Sequence, residues 1–66
     1  MSVGKKIKER REELGLYQSE LAERVGVSQV MINHIEKGRK IPNALLFADI
    51  AHELRCTMDE LVDKTA

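Results

Sequence analysis

The sequence predicts an all-α protein, a compact single domain of five short helices over residues 1–66. Leucine, alanine, glutamate, lysine and arginine are abundant and favour helices. One phenylalanine, one tyrosine and no tryptophan argue against a sheet. The glycines divide the chain into segments of helical length. A chain this short buries only about 60% of the surface that its unfolded form exposes, so helix-dense packing or dimerisation must supply its stability.

Apolar residues at helical spacing predict the first two helices. The first stripe consists of Val3, Ile7 and Leu14. Gly15 follows it and is placed to end the helix as a left-handed cap. The second stripe consists of Leu21, Ala22 and Val25, and Gly26 ends it. The chain is therefore expected to begin with two short helices joined by a tight connection.

Capping residues predict three further helices. Ser28 is placed to cap a third helix, which contains Ile32 and Ile35 and ends at Gly38. Pro42 then restricts the chain, and Asn43 can cap a fourth helix. The apolar positions of that helix are Phe47, Ile50, Ala51 and Leu54. Residues 57–60 form a capping-box pattern before Leu61 and Val62, which predicts the fifth helix.

The formal net charge is zero, but the charges are not evenly distributed. Residues 1–11 carry five basic groups and one acid, and residues 28–40 have a net charge of +2. Residues 12–27 and 41–66 each have a net charge of −3. A neutral chain can still present a basic face, and a phosphate backbone responds to that local field. Ordinary solvated charge is the alternative, and charge alone does not decide between them.

The joint between the second and third helices has the features of a helix-turn-helix. Two helices joined by a three-residue turn must approach closely where they cross. The small Ala22 permits that approach, and Gly26 can adopt the positive φ that reverses the chain. Val27, Ile32 and Ile35 are expected to fill the wedge between the helices. Together these features predict a helix-turn-helix over about residues 18–37.

The segment LGLYQSELAERVGVSQVMINHIEKGRKIPN resembles the lambda-repressor-like, Xre-type family of phage repressors and small bacterial regulators. The resemblance extends from Ile7 to Leu61. The matching positions are Arg11, Leu14, Gln18, Leu21, Ala22, Gly26, Ser28, Ile32, Ile35, Glu36, Gly38, Pro42, Ile50, Ala51 and Leu54. It implies a five-helix domain that binds operator DNA, commonly as a dimer, with the third helix in the major groove. One departure is Tyr17, which stands where the family has a capping Ser or Thr.

In this geometry the exposed face of the third helix meets base edges. The predicted base-contacting residues are Gln29, Val30, Asn33 and His34. Gln29 can pair with adenine N6 and N7, and Val30 can contact a thymine methyl group. His34 can bond guanine N7 or O6, and Asn33 can reach a base or a phosphate. The alternative is that these side chains are merely solvated, and Val30 argues against it because an exposed β-branched residue gains little in water.

Residues around this face are predicted to contact phosphates. They are Arg11, Tyr17, Gln18, Ser28, Lys37, Arg39, Lys40 and Asn43. Gln18 resembles the family's phosphate contact at the start of the second helix. Arg11 and Glu36 resemble its internal ion pair, which is expected to orient Arg11 toward a phosphate. The alternatives are an ordinary surface ion pair for Arg11 and an aromatic packed on a neighbouring helix for Tyr17. Lys5, Lys6, Lys8 and Arg10 are expected to add positive field rather than fixed contacts.

Apolar residues beyond the needs of one core predict a homodimer surface. They are Leu45, Leu46, Met58, Leu61 and Val62, in the fourth and fifth helices. One recognition helix covers only a few base pairs, so two copies are expected to bind half-sites about 34–36 Å apart. The alternative is that all five residues close the monomer core.

The sequence favours no enzymatic, metal or cofactor site. His34, His52 and Cys56 have no metal-ligand spacing, Cys56 is expected to be a small core residue, and no glycine-rich phosphate loop is present. With no signal-peptide or membrane-spanning run, a cytoplasmic protein is expected. No separate small-molecule effector domain is expected in 66 residues.

The predicted function is sequence-specific binding of double-stranded operator DNA by a repressor-like homodimer that regulates transcription. The rival is a protein-interaction module, an antitoxin-like or adaptor domain in which DNA binding is secondary or lost. The zero net charge and the acidic last third of the chain keep that rival open.

Overall fold

The computed structural model describes residues 3–62, which form four α-helices and one short 3₁₀-helix. The α-helices are α1 (Val3–Glu13), α2 (Gln18–Val25), α3 (Gln29–Glu36) and α4 (Ala44–Glu53), and the 3₁₀-helix is Asp59–Leu61. These residues contain no strand, so the all-α fold class is confirmed with four α-helices instead of five. Residues 1–2 and 63–66 of the predicted domain lie outside the described residues.

The predicted fifth helix is corrected to a single 3₁₀ turn. Thr57 Oγ1 accepts a hydrogen bond from the Glu60 backbone N–H at 3.2 Å, which is one half of the predicted capping box. Val62 already has an extended backbone, with φ −97° and ψ 135°. The cap starts a turn here, but the few hydrogen bonds of a single turn do not offset the cost of starting an α-helix.

Side-chain caps start α3 and α4 as predicted. Ser28 Oγ accepts a hydrogen bond from the Met31 backbone N–H at 3.1 Å, and Asn43 Oδ1 accepts one from Leu46 at 2.8 Å. At the start of α2 the Tyr17 side chain makes no capping hydrogen bond, and Glu20 accepts one from the Tyr17 backbone N–H at 2.9 Å. Glu20 therefore provides the part of a capping box that does not require Ser or Thr.

The end of α4 differs from the ends of the other three α-helices because it has no glycine. Arg55 adopts the left-handed conformation there with φ 59°, which is uncommon for a residue with a β-carbon. The Arg10 guanidinium in α1 donates from Nε to the Leu54 carbonyl oxygen at 2.9 Å and from Nη2 to that of Arg55 at 3.4 Å. The backbone N–H of Cys56 also donates to Ala51 at 3.0 Å. Arg10 thus caps α4 from another helix, a fixed role that the sequence does not predict.

One core lies between the helices, and most of the predicted apolar positions contribute to it. Its buried members are Ile7, Leu21, Ala22, Ile32, Ile35, Ile50, Ala51, Leu54 and Leu61. Leu61 is only 2% exposed, so its assignment to a dimer surface is wrong: the 3₁₀ turn directs it into the monomer core. Leu46 is half-buried against the same core, whereas Leu45 is 74% exposed.

Gly4 allows the N-terminal turn of α1 to lie against the C-terminal turn of α3. The residue is buried, and a β-carbon at this position would overlap the carbonyl oxygen of Ile35 and lie 2.9 Å from that of Glu36. Both neighbours are backbone atoms, which cannot rotate away as a side chain can. The closest approach between α1 and α3 therefore requires glycine.

We expect Gly4→Ala to destabilise the domain. Helix propensity alone favours alanine by about 1 kcal/mol, but separating the two helices costs roughly 1–3 kcal/mol in lost packing. Urea unfolding followed by circular dichroism should show a lower midpoint for Gly4→Ala than for the parent. Lys8→Ala, an exposed change in the same helix, is the control and should unfold like the parent. A Gly4→Ala variant as stable as the parent would show that α1 and α3 do not meet here.

Candidate nucleic-acid interface

Helices α2 and α3 form the predicted helix-turn-helix, joined by residues 26–28. Ala22 is 3% exposed at the joint, and its carbonyl oxygen accepts a hydrogen bond from the Val27 backbone N–H at 3.0 Å. Gly26 ends α2 in the left-handed conformation with φ 76°. The small side chain and the positive φ allow the chain to reverse within three residues.

The side of α3 that faces away from the core carries all four predicted base-contacting residues. These four residues, which we call the outer face of α3, are Gln29, Val30, Asn33 and His34. Together with Gln18 from α2 they line a shallow depression of about 480 Å³. Gln29 and Val30 are exposed, and Asn33 and His34 are half-buried. The fold thus gathers these residues on one surface, and their contact with bases stays a prediction.

A buried ion pair lies directly beneath that surface. Arg11 donates from Nε to Glu36 Oε2 at 2.7 Å and from Nη2 to Glu36 Oε1 at 3.0 Å. Arg11 Nη1 also donates to the Leu16 carbonyl oxygen at 2.7 Å. Hydrogen bonding to Glu36 raises the pKa of Arg11, which therefore remains charged. The predicted internal pair is confirmed, and it joins α1, the turn after it and α3.

The amide of Gln18 connects the ion pair to the outer face of α3. Gln18 Nε2 donates to Glu36 Oε1 at 3.0 Å, and Asn33 Nδ2 donates to Gln18 Oε1 at 3.4 Å. The Glu36 side chain is 1% exposed and accepts three hydrogen bonds. Every buried side-chain polar atom in the described part of the chain has a partner. Sequence reasoning placed these residues separately and missed this chain of hydrogen bonds.

The predicted phosphate-contacting residues lie at the starts of α2 and α3 and in the segment after α3, except for Arg11. Tyr17 and Gln18 lie at the start of α2, and Ser28 lies at the start of α3. Lys37, Arg39, Lys40 and Asn43 are exposed in the segment between α3 and α4. The Arg11 side chain is only 9% exposed and donates its hydrogen bonds within the protein. Little of its surface is accessible to a phosphate, and its direct phosphate contact stays a prediction.

Neither a metal site nor an activated nucleophile is evident in residues 3–62. No group of three or more His, Cys, Asp or Glu side chains there could hold a metal ion. Cys56 is half-buried, and burial together with the nearby Glu60 carboxylate raises the pKa of its thiol. The thiol therefore stays protonated and weakly nucleophilic at neutral pH. No helix in this range is long and apolar enough to cross a bilayer.

Known proteins have sequences similar to this chain. A helix-turn-helix family model matches residues 7–61. An uncharacterized HTH-type transcriptional regulator of Methanothermobacter thermautotrophicus is 54% identical over 48 residues, which cover 73% of this chain and 70% of that protein. Multiprotein-bridging factor 1 of Candida albicans is 44% identical over 54 residues, which cover 82% of this chain and 36% of that protein.

A similar solved structure is the P22 c2 repressor in complex with a synthetic operator. It has a TM-score of 0.90 and 31% identity, with 98% of each chain covered. The fold and the exposed face of α3 define a helix-turn-helix domain. The chain belongs to the helix-turn-helix family of DNA-binding transcriptional regulators, in its lambda-repressor-like group.

The buried ion pair predicts an unequal response to single and double substitution. Arg11→Met should cost about 3–5 kcal/mol, because it leaves the Glu36 carboxylate buried without its counter-charge. The double variant Arg11→Met/Glu36→Met should be more stable than Arg11→Met, because no uncompensated charge remains. Urea unfolding curves of both variants and the parent measure this. If Arg11→Met lowers the free energy of unfolding by less than about 1 kcal/mol, the pair contributes no more than an exposed ion pair.

Proposed function

We propose that the protein binds double-stranded operator DNA as a homodimer, places α3 in the major groove and represses transcription. Val30 is the observation that carries the proposal. It is 62% exposed on the outer face of α3, whose other three residues are polar. An aliphatic group there has little to gain from water but matches a thymine methyl group in the major groove.

The charges around this surface support the same orientation on DNA. Lys37, Arg39 and Lys40 directly follow α3 and are all exposed. We expect these three cations to contact the phosphates that border the groove. The P22 c2 repressor was solved with a synthetic operator, and the Methanothermobacter relative is an HTH-type transcriptional regulator, which supports a repressor here. We propose no catalytic activity, and a cytoplasmic location stays a prediction.

A matched pair of variants tests base contact against phosphate contact. A binding site is first selected from random DNA with the parent protein. Gln29→Ala should then lose about 1–3 kcal/mol on that site and almost nothing on random DNA. Lys40→Ala should weaken both and lower the slope of log affinity against log salt by about 1. Equal losses on both DNAs for Gln29→Ala would move Gln29 to the phosphate-contacting class.

The proposed dimer surface consists of the predicted apolar residues that remain accessible in the monomer. Leu45 is 74% exposed at the start of α4, and Met58 and Val62 are 44% and 40% exposed around the 3₁₀ turn. Leu46 can contribute only its accessible part, and Leu61 is excluded by burial. Covering these exposed apolar side chains with a second copy would remove their surface from water, which favours dimerisation.

Self-association can be separated from DNA binding with two similar substitutions. Leu45→Glu should shift the free protein at tens of micromolar toward monomer in sedimentation experiments, because it places a charge in the proposed interface. Val30→Glu also replaces an exposed aliphatic residue, but on the outer face of α3, and should leave self-association unchanged. A parent that is strictly monomeric and binds a single half-site as one copy contradicts the homodimer.

The alternative function is a protein-interaction module. Ile41 is 86% exposed and Leu45 is 74% exposed, four positions apart, and neither lies on the outer face of α3. The similarity to multiprotein-bridging factor 1 also favours this alternative. The two functions differ in their response to salt: phosphate contacts impose a steep salt dependence on retention by DNA, which a protein partner need not show.

A further inference from the structure

The orientation of the Gln18 amide is determined by Glu36. An ionised carboxylate can only accept hydrogen bonds, so the Gln18 atom that lies 3.0 Å from Glu36 Oε1 must be the amide nitrogen. The opposite orientation would place two oxygen atoms in contact and leave the buried carboxylate without one of its donors. Gln18 therefore directs Nε2 toward the core and Oε1 toward α3.

Gln18 in turn determines the orientation of the Asn33 amide. The Asn33 atom that lies 3.4 Å from Gln18 Oε1 must be its amide nitrogen, since two carbonyl oxygens would repel. One Nδ2 hydrogen is thereby used. Asn33 Oδ1 and the second Nδ2 hydrogen remain for a ligand on the outer face of α3. The charge on Glu36 thus sets the donor and acceptor positions of a half-buried side chain two hydrogen bonds away.

We propose that this relay, from Glu36 through Gln18 to Asn33, makes Asn33 select adenine and reject guanine. The inference rests on the proposed DNA-binding function and adds a base preference and a positioning residue, Glu36, to it. Glu36 is buried and contacts no base. It acts by holding the amide of Asn33 in one of its two orientations.

The hydrogen-bonding edges of the two purines account for the preference. In the major groove adenine presents the N6 amino group as a donor and N7 as an acceptor. Asn33 can match both, with Oδ1 accepting and the second Nδ2 hydrogen donating. Guanine also accepts at N7 but presents the acceptor O6 in place of the N6 donor, so that O6 would oppose Oδ1. Turning the Asn33 amide to donate twice would bring Oδ1 against Gln18 Oε1 and break the relay.

Parallel selection from random DNA tests the proposal, using the parent, Asn33→Ala, Gln18→Met and Lys40→Ala. Asn33→Ala identifies the base position that depends on Asn33. At that position the parent should disfavour guanine relative to adenine by roughly 5- to 150-fold, the range for one bidentate contact. Gln18→Met removes the acceptor that holds Asn33, so the ratio should fall below about 5-fold. Lys40→Ala loses a phosphate contact without touching the relay, and its ratio should match that of the parent.

A second measurement on the free protein needs no DNA. Nuclear magnetic resonance of the side-chain amide protons should show one Asn33 proton shifted by its bond to Gln18, and this shift should be lost in Gln18→Met. Unchanged Asn33 signals would overturn the relay.

The outcomes also separate the inference from the proposed function. A parent that selects no site contradicts DNA binding itself. A parent that does select a site leaves DNA binding intact. The relay is then overturned if the adenine preference survives Gln18→Met, or if no base position depends on Asn33.

Discussion

The buried contact between the Arg11 guanidinium and the Glu36 carboxylate is the constraint on which the rest of the molecule depends. Each group loses hydration on burial, and only a well-aligned pair with its remaining hydrogen bonds satisfied offsets that loss. The pair therefore requires three segments to lie in fixed positions relative to one another: α1, the turn that follows it, and α3. Removing either partner alone would leave an uncompensated charge beneath the surface that the proposed function uses.

Two kinds of contact hold α1 against α3, and they act at different ends of α1. Near its start, Gly4 brings backbone into direct contact with the carbonyl oxygens at the end of α3. Near its end, Arg11 makes the directional contact with Glu36. Backbone contact limits the distance between the helices, and the bidentate hydrogen bonds limit their rotation. The outer face of α3 is consequently held at a fixed angle to the rest of the domain.

Local sequence signals predicted most of the fold. Ser28 and Asn43 cap helices as expected, and Gly26 ends α2 with positive φ, because capping and chain reversal depend on residues only a few positions apart. Arg55 shows the limit of such signals, because its left-handed conformation is supported by Arg10, which lies 45 positions away. Leu61 was misassigned for a similar reason: an apolar residue in a short terminal segment can face the core or a partner, and only the tertiary structure decides.

The candidate site was predictable as a set of residues but not as a network. Helical spacing and the family resemblance placed Gln29, Val30, Asn33 and His34 on one face, as the structure has them. The bonds of Gln18 to Glu36 and to Asn33 span 18 and 15 positions and depend on how α2 crosses α3. No periodicity in a single helix contains that information.

The cap that Arg10 places on the end of α4 links α1 to the segment that follows α4. Arg10 bonds the carbonyl oxygens of Leu54 and Arg55, so α1 sets where the chain leaves α4 and where the following turn lies. Met58 and Val62, in and next to that turn, belong to the proposed dimer surface. In the proposed two-fold symmetric pair, a small tilt of this surface would change the separation of the two α3 helices. In the proposed dimer, Arg10 would thus act on the distance between the two half-sites, although it belongs to neither proposed surface.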